Sequence, residues 1–123
     1  MSTFKDLIGK TILAWELVDG GEILNIVVST GKGSIKIEKL VYRAEGDCCA
    51  HCWVESVNGV SGGIVLDTED KGWQVTSDND EDAVNETGFW TLKTTSGYID
   101  IETRLSHNGY YGGTIEYVKT IEL

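Results

Sequence analysis

The amino-acid sequence predicts a predominantly β, antiparallel domain over residues 1–123, either a β-sandwich or a barrel-like sheet, with a short N-terminal helix. From Lys10 onward, apolar residues recur with a period of two, which is typical of strands that bury one face. The chain contains 15 glycines and no proline, so its turns rely on glycine and asparagine. With 123 residues, 41% of them apolar, the chain has room for one domain with one core. The pattern leaves sandwich and barrel as alternatives.

A short helix and a three-stranded meander are predicted for the first third of the chain. Ser2 or Thr3 can cap the helix, and Gly9 ends it. The glycine-rich segments 19–21 and 31–33 predict the turns between the strands. The strands are predicted over residues 11–18, 22–30 and 34–43. The apolar faces of the second and third strands are expected to hold Leu24, Ile26 and Val28, and Ile35, Ile37 and Val41.

The remaining strands flank a long acidic stretch. Residues 48–57 form an extended segment that is predicted to end in a turn at Asn58-Gly59. After an apolar run at 64–66, residues 67–86 are the most acidic and least periodic part of the chain. A short strand at 73–76 and an exposed loop over 77–85 are predicted there. Strands over 89–95, 97–105 and 114–121 bring the total to roughly eight.

The charge balance narrows the classes of partner. Twenty acidic and ten basic residues give a net charge of −10 and a pI near 4.5. Such a surface repels nucleic-acid phosphates and anionic lipids, so neither direct nucleic-acid binding nor membrane binding is expected. No apolar run approaches about 18 residues, and residues 1–10 lack a signal pattern, so a cytoplasmic location is expected. The acidic surface either maintains solubility or imitates nucleic acid and occupies a basic groove on another protein.

Three cysteines and one histidine cluster at Cys48, Cys49, His51 and Cys52. Thiols and imidazole serve in metal ligation, redox exchange and nucleophilic attack. The Cys49–Cys52 spacing supplies half of a zinc ligand set, to which His51 or His107 could add a nitrogen. On a straight strand, however, Cys52 faces away from Cys49 and His51. We therefore expect reduced thiols that pack as small apolar side chains, with no bound metal and no cofactor.

No complete catalytic signature accompanies this cluster. The sequence lacks a nucleophile elbow, a phosphate-binding loop and a dinucleotide fingerprint. The acidic run that starts at Asp78 resembles a calcium loop, but Ala83 and Phe89 occupy positions where glycine and glutamate are required. A non-enzymatic protein is therefore expected. The enzymatic alternative is thiol chemistry at Cys48 or Cys49, assisted by a histidine.

Two sets of residues are candidates for binding. In the preferred interpretation, acidic residues contact a protein partner and one tryptophan supplies an apolar anchor. This set consists of Asp67, Glu69, Asp70, Trp73, Asp78, Asp80, Glu81 and Asp82.

The alternative is a small-molecule site, for which a nucleotide is the expected ligand. Aromatic rings would stack on the base, and Arg43, Lys93 or Arg104 would meet the phosphate. The candidate residues are Trp53, Arg104, His107, Asn108, Tyr110 and Tyr111. The Asn108-Gly109 pair is also a hairpin-turn signal, which explains those two residues without any ligand.

Three motifs carry a resemblance that covers nearly the whole chain. They are DLIGKTI at 6–12, DCC at 47–49 followed by WVE at 53–55, and NGYY at 108–111. In this order they resemble a family of small phage and prophage proteins known as a domain of unknown function. The resemblance implies a phage accessory origin and assigns no catalytic residue. Together with the acidity, it leads us to expect a binding protein that inhibits a host protein, such as one of antiviral defence, in the host cytoplasm.

Overall fold

Two antiparallel sheets make up the protein. The structure, a computed structural model, describes residues 3–31, 34–46, 50–80, 83–107 and 112–123, without the side chains of residues 76–80 and 83–84. Within these ranges there are eight strands: β1 (Thr11–Val18), β2 (Ile23–Thr30), β3 (Lys36–Gly46), β4 (His51–Gly59), β5 (Val65–Asp80), β6 (Ala83–Thr94), β7 (Gly97–His107) and β8 (Gly113–Glu122). The first sheet has the order β1-β2-β3-β8, and the second has the order β4-β7-β6-β5. The predicted antiparallel β architecture is confirmed, in its sandwich form.

The N-terminal helix is a single 3₁₀ turn over Lys5–Leu7. Its N-cap is Phe4, which makes no side-chain capping hydrogen bond, so the predicted cap by Thr3 is wrong, and Ser2 lies outside the described residues. Phe4 and Leu7 are fully buried, and the turn is thus stabilised by packing rather than by capping. No helix in the described ranges is long and apolar enough to cross a membrane.

The core lies between the sheets and takes most of its residues from β2, β3, β4, β6 and β7. In β2 the predicted apolar face is confirmed, because Leu24, Ile26 and Val28 are all buried. For the third strand the prediction is wrong at two positions, since Ile35, which precedes β3, is 75% exposed and Ile37 is 43% exposed, whereas Val41 is buried. The buried residues of β3 that face the core lie at the alternate positions and are Leu40, Tyr42 and Ala44. The second sheet contributes Cys52, Val54, Trp90, Leu92, Ile99, Ile101 and Leu105.

A long hairpin replaces the acidic loop that was predicted over 77–85. Strands β5 and β6 remain paired as far as Asp80 and Ala83. The pairing is shifted at four places along β5, between Val65/Asp67, Asp70/Gly72, Val75/Ser77 and Ser77/Asp80. Each shift inserts a residue into the strand and breaks the period of two, which is why the sequence pattern indicated only a short strand at 73–76, inside β5.

The turn predicted at Asn58-Gly59 is also wrong, because both residues belong to β4 and pair with Asp100 and Ile99. A Cβ atom on Gly59 would lie 2.6 Å from the Tyr98 carbonyl oxygen and 2.7 Å from the Ile99 Cα. Glycine at this position allows the close approach of β4 and β7 rather than forming a turn.

The two sheets are joined at one corner by backbone hydrogen bonds between residues 9–12 and residues 62–65. The Gly9 amide donates to the Val65 carbonyl (2.8 Å), and the Val65 amide donates to the Lys10 carbonyl (2.9 Å). The Ile12 amide donates to the Gly63 carbonyl (3.0 Å). This corner fixes the start of β5 against the start of β1. Beyond it, β6 is the only strand that pairs with β5 among the described residues.

Candidate functional site

The outer face of the second sheet gathers side chains from both predicted binding sets. In β7, four residues that point away from the core alternate with buried ones: Tyr98, Asp100, Glu102 and Arg104. The register places Lys93 of β6 opposite Tyr98, and Trp53 of β4 opposite Arg104. We call this surface the outer face, and its main residues are Trp53, Ser56, Asn58, Glu69, Lys71, Phe89, Thr91, Lys93, Tyr98, Asp100, Glu102 and Arg104.

Hydrogen bonds hold the central side chains of the outer face in place. The Ser56 hydroxyl donates to Glu102 Oε2 (3.4 Å), and Arg104 Nη2 lies 3.6 Å from the same oxygen. The Thr91 hydroxyl donates to Asp100 Oδ1 (2.9 Å). In the described part of the chain, the buried Nε of Arg104 has no hydrogen-bond partner. The central side chains of the face are therefore held by hydrogen bonds, and the buried Nε of Arg104 is left without a partner among the described residues.

A shallow recess of about 370 Å³ lies on the part of the outer face formed by β5, β6 and β7. It is lined by Glu69, Lys71, Thr91, Lys93, Tyr98 and Asp100. Among the described residues, neither lysine has a carboxylate within 4.0 Å of its ammonium group. Tyr98 is 63% exposed. The recess thus offers accessible donors, acceptors and one aromatic ring.

The predicted acidic contact residues lie along β5, at an edge of the second sheet. Asp67, Glu69 and Asp70 are exposed near one end of the strand. Asp78 and Asp80 belong to the same strand, although their side chains are outside the described part, as are Glu81 and Asp82 entirely. At about 3.3 Å per residue, Asp67 and Asp78 are separated by up to about 35 Å. The acidic residues of β5 are therefore spread along the edge of the sheet rather than gathered in a compact patch.

Two of these carboxylates also bind the backbone of their own strand. Asp67 Oδ1 accepts a hydrogen bond from the Thr68 amide (2.8 Å), and Asp70 Oδ1 accepts one from the Gly72 amide (2.8 Å). Both bonds lie at bulges of β5. The carboxylates consequently have fixed positions at the edge of the sheet.

Trp73, the predicted apolar anchor, is half-buried and packs against the core. Its ring meets Trp90 edge to face, with centroids 5.6 Å apart. A Cβ atom on Gly88 would lie 2.8 Å from the Trp73 ring, so the indole covers the glycine. Most of this side chain therefore stabilises the fold, and only part of it is accessible to a partner.

Of the predicted nucleotide-binding residues that the structure describes, Trp53 and Arg104 lie side by side and His107 lies apart from them. Trp53 and Arg104 are cross-strand neighbours on the outer face. His107 lies at the end of β7, on the face of the strand that carries the core residues. Its Nε2 lies 2.6 Å from Glu86 Oε2. Of the proposed phosphate-binding cations, Arg43 belongs to the first sheet and Lys93 lies at the opposite end of the outer face from Arg104. Asn108, Tyr110 and Tyr111 lie outside the described residues.

The two described residues of the cysteine cluster, His51 and Cys52, lie on opposite faces of β4. Cys52 is 2% exposed, and its thiol lies 3.9 Å from the Thr114 carbonyl oxygen. Burial raises the pKa of this thiol to about 11. His51 is exposed on the opposite face, with its Nε2 3.5 Å from Glu22 Oε1. The predicted alternation of these two side chains is confirmed, and in this arrangement they cannot bind the same ion.

Cys48 and Cys49 lie outside the described residues. In the part of the chain that the structure describes, no three His, Cys, Asp or Glu side chains are grouped to hold a metal ion. The expectation that the protein binds no metal stays a prediction.

The sequence interpretation missed Tyr98, Asp100 and Lys71. The alternation of apolar and polar residues along β7 was a usable signal for Tyr98 and Asp100, because it separates the core positions from the outward ones. Lys71 had no such signal, since it lies at a bulge between Asp70 and Gly72.

The comparison with known families concerns nearly the whole sandwich. The profile of a domain of unknown function (DUF7448) matches residues 5–117. The chain belongs to this family. The matched range runs from the 3₁₀ turn into β8, so the DUF7448 region includes strands of both sheets and the outer face. No curated protein and no solved structure matches the DUF7448 chain.

Proposed function

We propose that this DUF7448 protein is a non-enzymatic binding protein that docks on a basic protein surface through β5. The observation that carries the proposal is the concentration of charge on this edge strand. Five carboxylates and one lysine lie within its 16 residues. The net charge of −10 adds a long-range attraction to basic partners, which accelerates association.

The fixed positions of the β5 carboxylates favour binding. Asp67 and Asp70 are already held by backbone amides, so they lose little conformational freedom when a partner arrives. Each keeps a second carboxylate oxygen for a partner's lysine or arginine. The edge position also leaves the side chains of Asp67, Glu69 and Asp70 exposed to a second protein.

Charges on an edge strand have another use, because they prevent strands of other chains from pairing with it. That role requires only that the strand carry charge, whereas the docking proposal requires a partner whose affinity depends on these carboxylates. The two roles are therefore distinguishable by binding measurements.

The phage resemblance suggests the kind of partner. We propose a host protein with a basic, nucleic-acid-binding groove, which the acidic edge occupies in the host cytoplasm. An inhibitor of an antiviral defence protein fits this description. Such a partner would bind the acidic chain and nucleic acid in competition.

The test uses two variants with equal changes of charge. The first neutralises β5 at four positions: Asp67→Asn, Glu69→Gln, Asp78→Asn and Asp80→Asn. The control neutralises four carboxylates of the first sheet: Glu16→Gln, Glu45→Gln, Glu116→Gln and Glu122→Gln. Asp70 is left unchanged because it holds the bulge at Gly72.

Each protein is used to capture partners from bacterial host lysate at low and high salt, and the dissociation constant of the retained partner is then measured. We expect the β5 variant to bind at least about tenfold more weakly, the control to bind within about threefold of the unchanged protein, and DNA to compete. Equal weakening in both variants, or no retained protein at low salt, contradicts the proposal.

A further inference from the structure

The recess on the outer face is formed by neighbouring residues of β5, β6 and β7. Gly72 has a φ of +78° at the bulge of β5, and the Asp70 carboxylate holds its amide. Lys71 follows Glu69 by two residues, so the two side chains share one face of β5, and both line the recess. The hydrogen bond from Thr91 fixes Asp100 on the neighbouring strand pair. The recess is therefore formed by ordered backbone and side chains.

The charges in the recess balance. Lys71 and Lys93 supply two ammonium groups, and Glu69 and Asp100 supply two carboxylates. The register places Glu69 opposite Thr91, and Thr91 opposite Asp100, so both carboxylates flank the middle of the recess. Hydrogen-bond donors and acceptors are thus present together, with no excess of positive charge.

This balance selects among ligand classes. A phosphate would meet two carboxylates inside the recess and a net charge of −10 outside it. An apolar ligand would find one aromatic ring and few other apolar atoms. A neutral polyhydroxylated ring satisfies the recess better, since each hydroxyl both donates and accepts.

We propose that the recess binds a saccharide. A pyranose ring packs on the exposed face of Tyr98, its hydroxyls donate to Glu69 and Asp100, and its oxygens accept from Lys71 and Lys93. The volume of about 370 Å³ lies at the small end of the range for small-molecule sites. The site does not depend on the proposed protein partner, although Glu69 belongs to both surfaces.

The test begins with a glycan array that carries neutral and acidic glycans. The best glycan is then titrated into ¹⁵N-labelled protein, with AMP and inorganic phosphate as separate titrations. We expect a neutral glycan to shift the amide resonances of Tyr98, Thr91 and Lys93, and neither phosphate compound to do so.

Variants locate the contact. Tyr98→Ala should weaken glycan binding at least about tenfold, whereas Tyr98→Phe keeps the ring and should bind nearly as well. Asp100→Asn should also weaken binding, and Glu116→Gln, on the first sheet, should not. For each variant, the amide resonances of residues far from the substitution should be unchanged. This control shows that weaker binding comes from a lost contact with the glycan and not from unfolding.

The proposal is overturned if no glycan on the array binds. It is also overturned if AMP or phosphate produces the shifts at Tyr98, or if glycan binding survives Tyr98→Ala. None of these results bears on the charge-variant comparison for β5, so failure of the saccharide site and failure of the protein-binding proposal are distinguishable.

Discussion

The side chain of Cys52 fills the core beside β8. A Cβ atom added to Gly113 would lie 3.1 Å from the Cys52 sulfur, so the two strands are closely packed at this point. With Cys48→Ser and Cys49→Ser in place, we expect the remaining thiol to resist iodoacetamide in the folded protein and to react after unfolding in urea. Mass spectrometry measures the alkylated fraction, and complete alkylation under native conditions would show that Cys52 is accessible.

Burial of Cys52 also predicts a loss of stability in alkaline solution. Its pKa rises from 9.0 to about 11 on folding, and burial raises the pKa of Tyr42 as well. Between these values the unfolded thiol loses its proton while the folded thiol keeps it, so the free energy of unfolding falls as the pH rises. We expect Cys52 alone to account for a decrease of roughly 2 kcal/mol from about pH 8 to pH 11.

Urea unfolding at a series of pH values measures this decrease. The Cys48→Ser/Cys49→Ser protein is the reference. Adding Cys52→Ala to it should make the free energy of unfolding depend less on pH. The dependence that remains is the part due to Tyr42. A slope that is unchanged by Cys52→Ala would assign the whole effect to other groups.

The contact between Gly88 and Trp73 provides a test of packing. Because a Cβ atom at Gly88 would meet three ring carbons at 2.8–2.9 Å, Gly88→Ala should displace the indole. We expect a loss of about 1–3 kcal/mol in the free energy of unfolding, measured in urea. In a Trp73→Ala background the same change should cost much less, and an equal cost in both backgrounds would contradict the proposed clash.

At the scale of elements, the bulge of β5 depends on one hydrogen bond. Asp70→Ala removes the acceptor of the Gly72 amide and should lower the free energy of unfolding by about 1 kcal/mol. Asp70→Asn keeps a side-chain oxygen and should cost less. Glu69→Ala, at the neighbouring exposed position, is the control and should be nearly neutral in urea unfolding. An Asp70→Ala protein as stable as the Glu69→Ala protein would show that the bond contributes little.

The same strand shows what the sequence could and could not predict. The bounds of β1 and β2 were predicted to within one residue, since β1 carries only one bulge, between Ile12 and Ala14, and the pairing of β2 with β3 has none. β5 is interrupted by bulges and carries polar residues on both faces, so the sequence indicated only the short strand at 73–76 there. At the candidate site, the exposed carboxylates of β5 could be named from composition. The recess could not, because it requires the register of β5, β6 and β7.

At the scale of the molecule, the excess negative charge should oppose folding. A net charge of −10 on a 13.5 kDa chain brings like charges together when the chain becomes compact. Salt screens this repulsion over a distance that falls from about 30 Å at 0.01 M to about 3 Å at 1 M. We therefore expect the free energy of unfolding, measured in urea, to rise by about 1 kcal/mol between about 10 mM and 0.5 M NaCl.

The variant with four neutralised carboxylates in β5 carries four fewer negative charges, so added salt should raise its free energy of unfolding by less. If both proteins gain equally, the effect of salt does not arise from the repulsion along this strand.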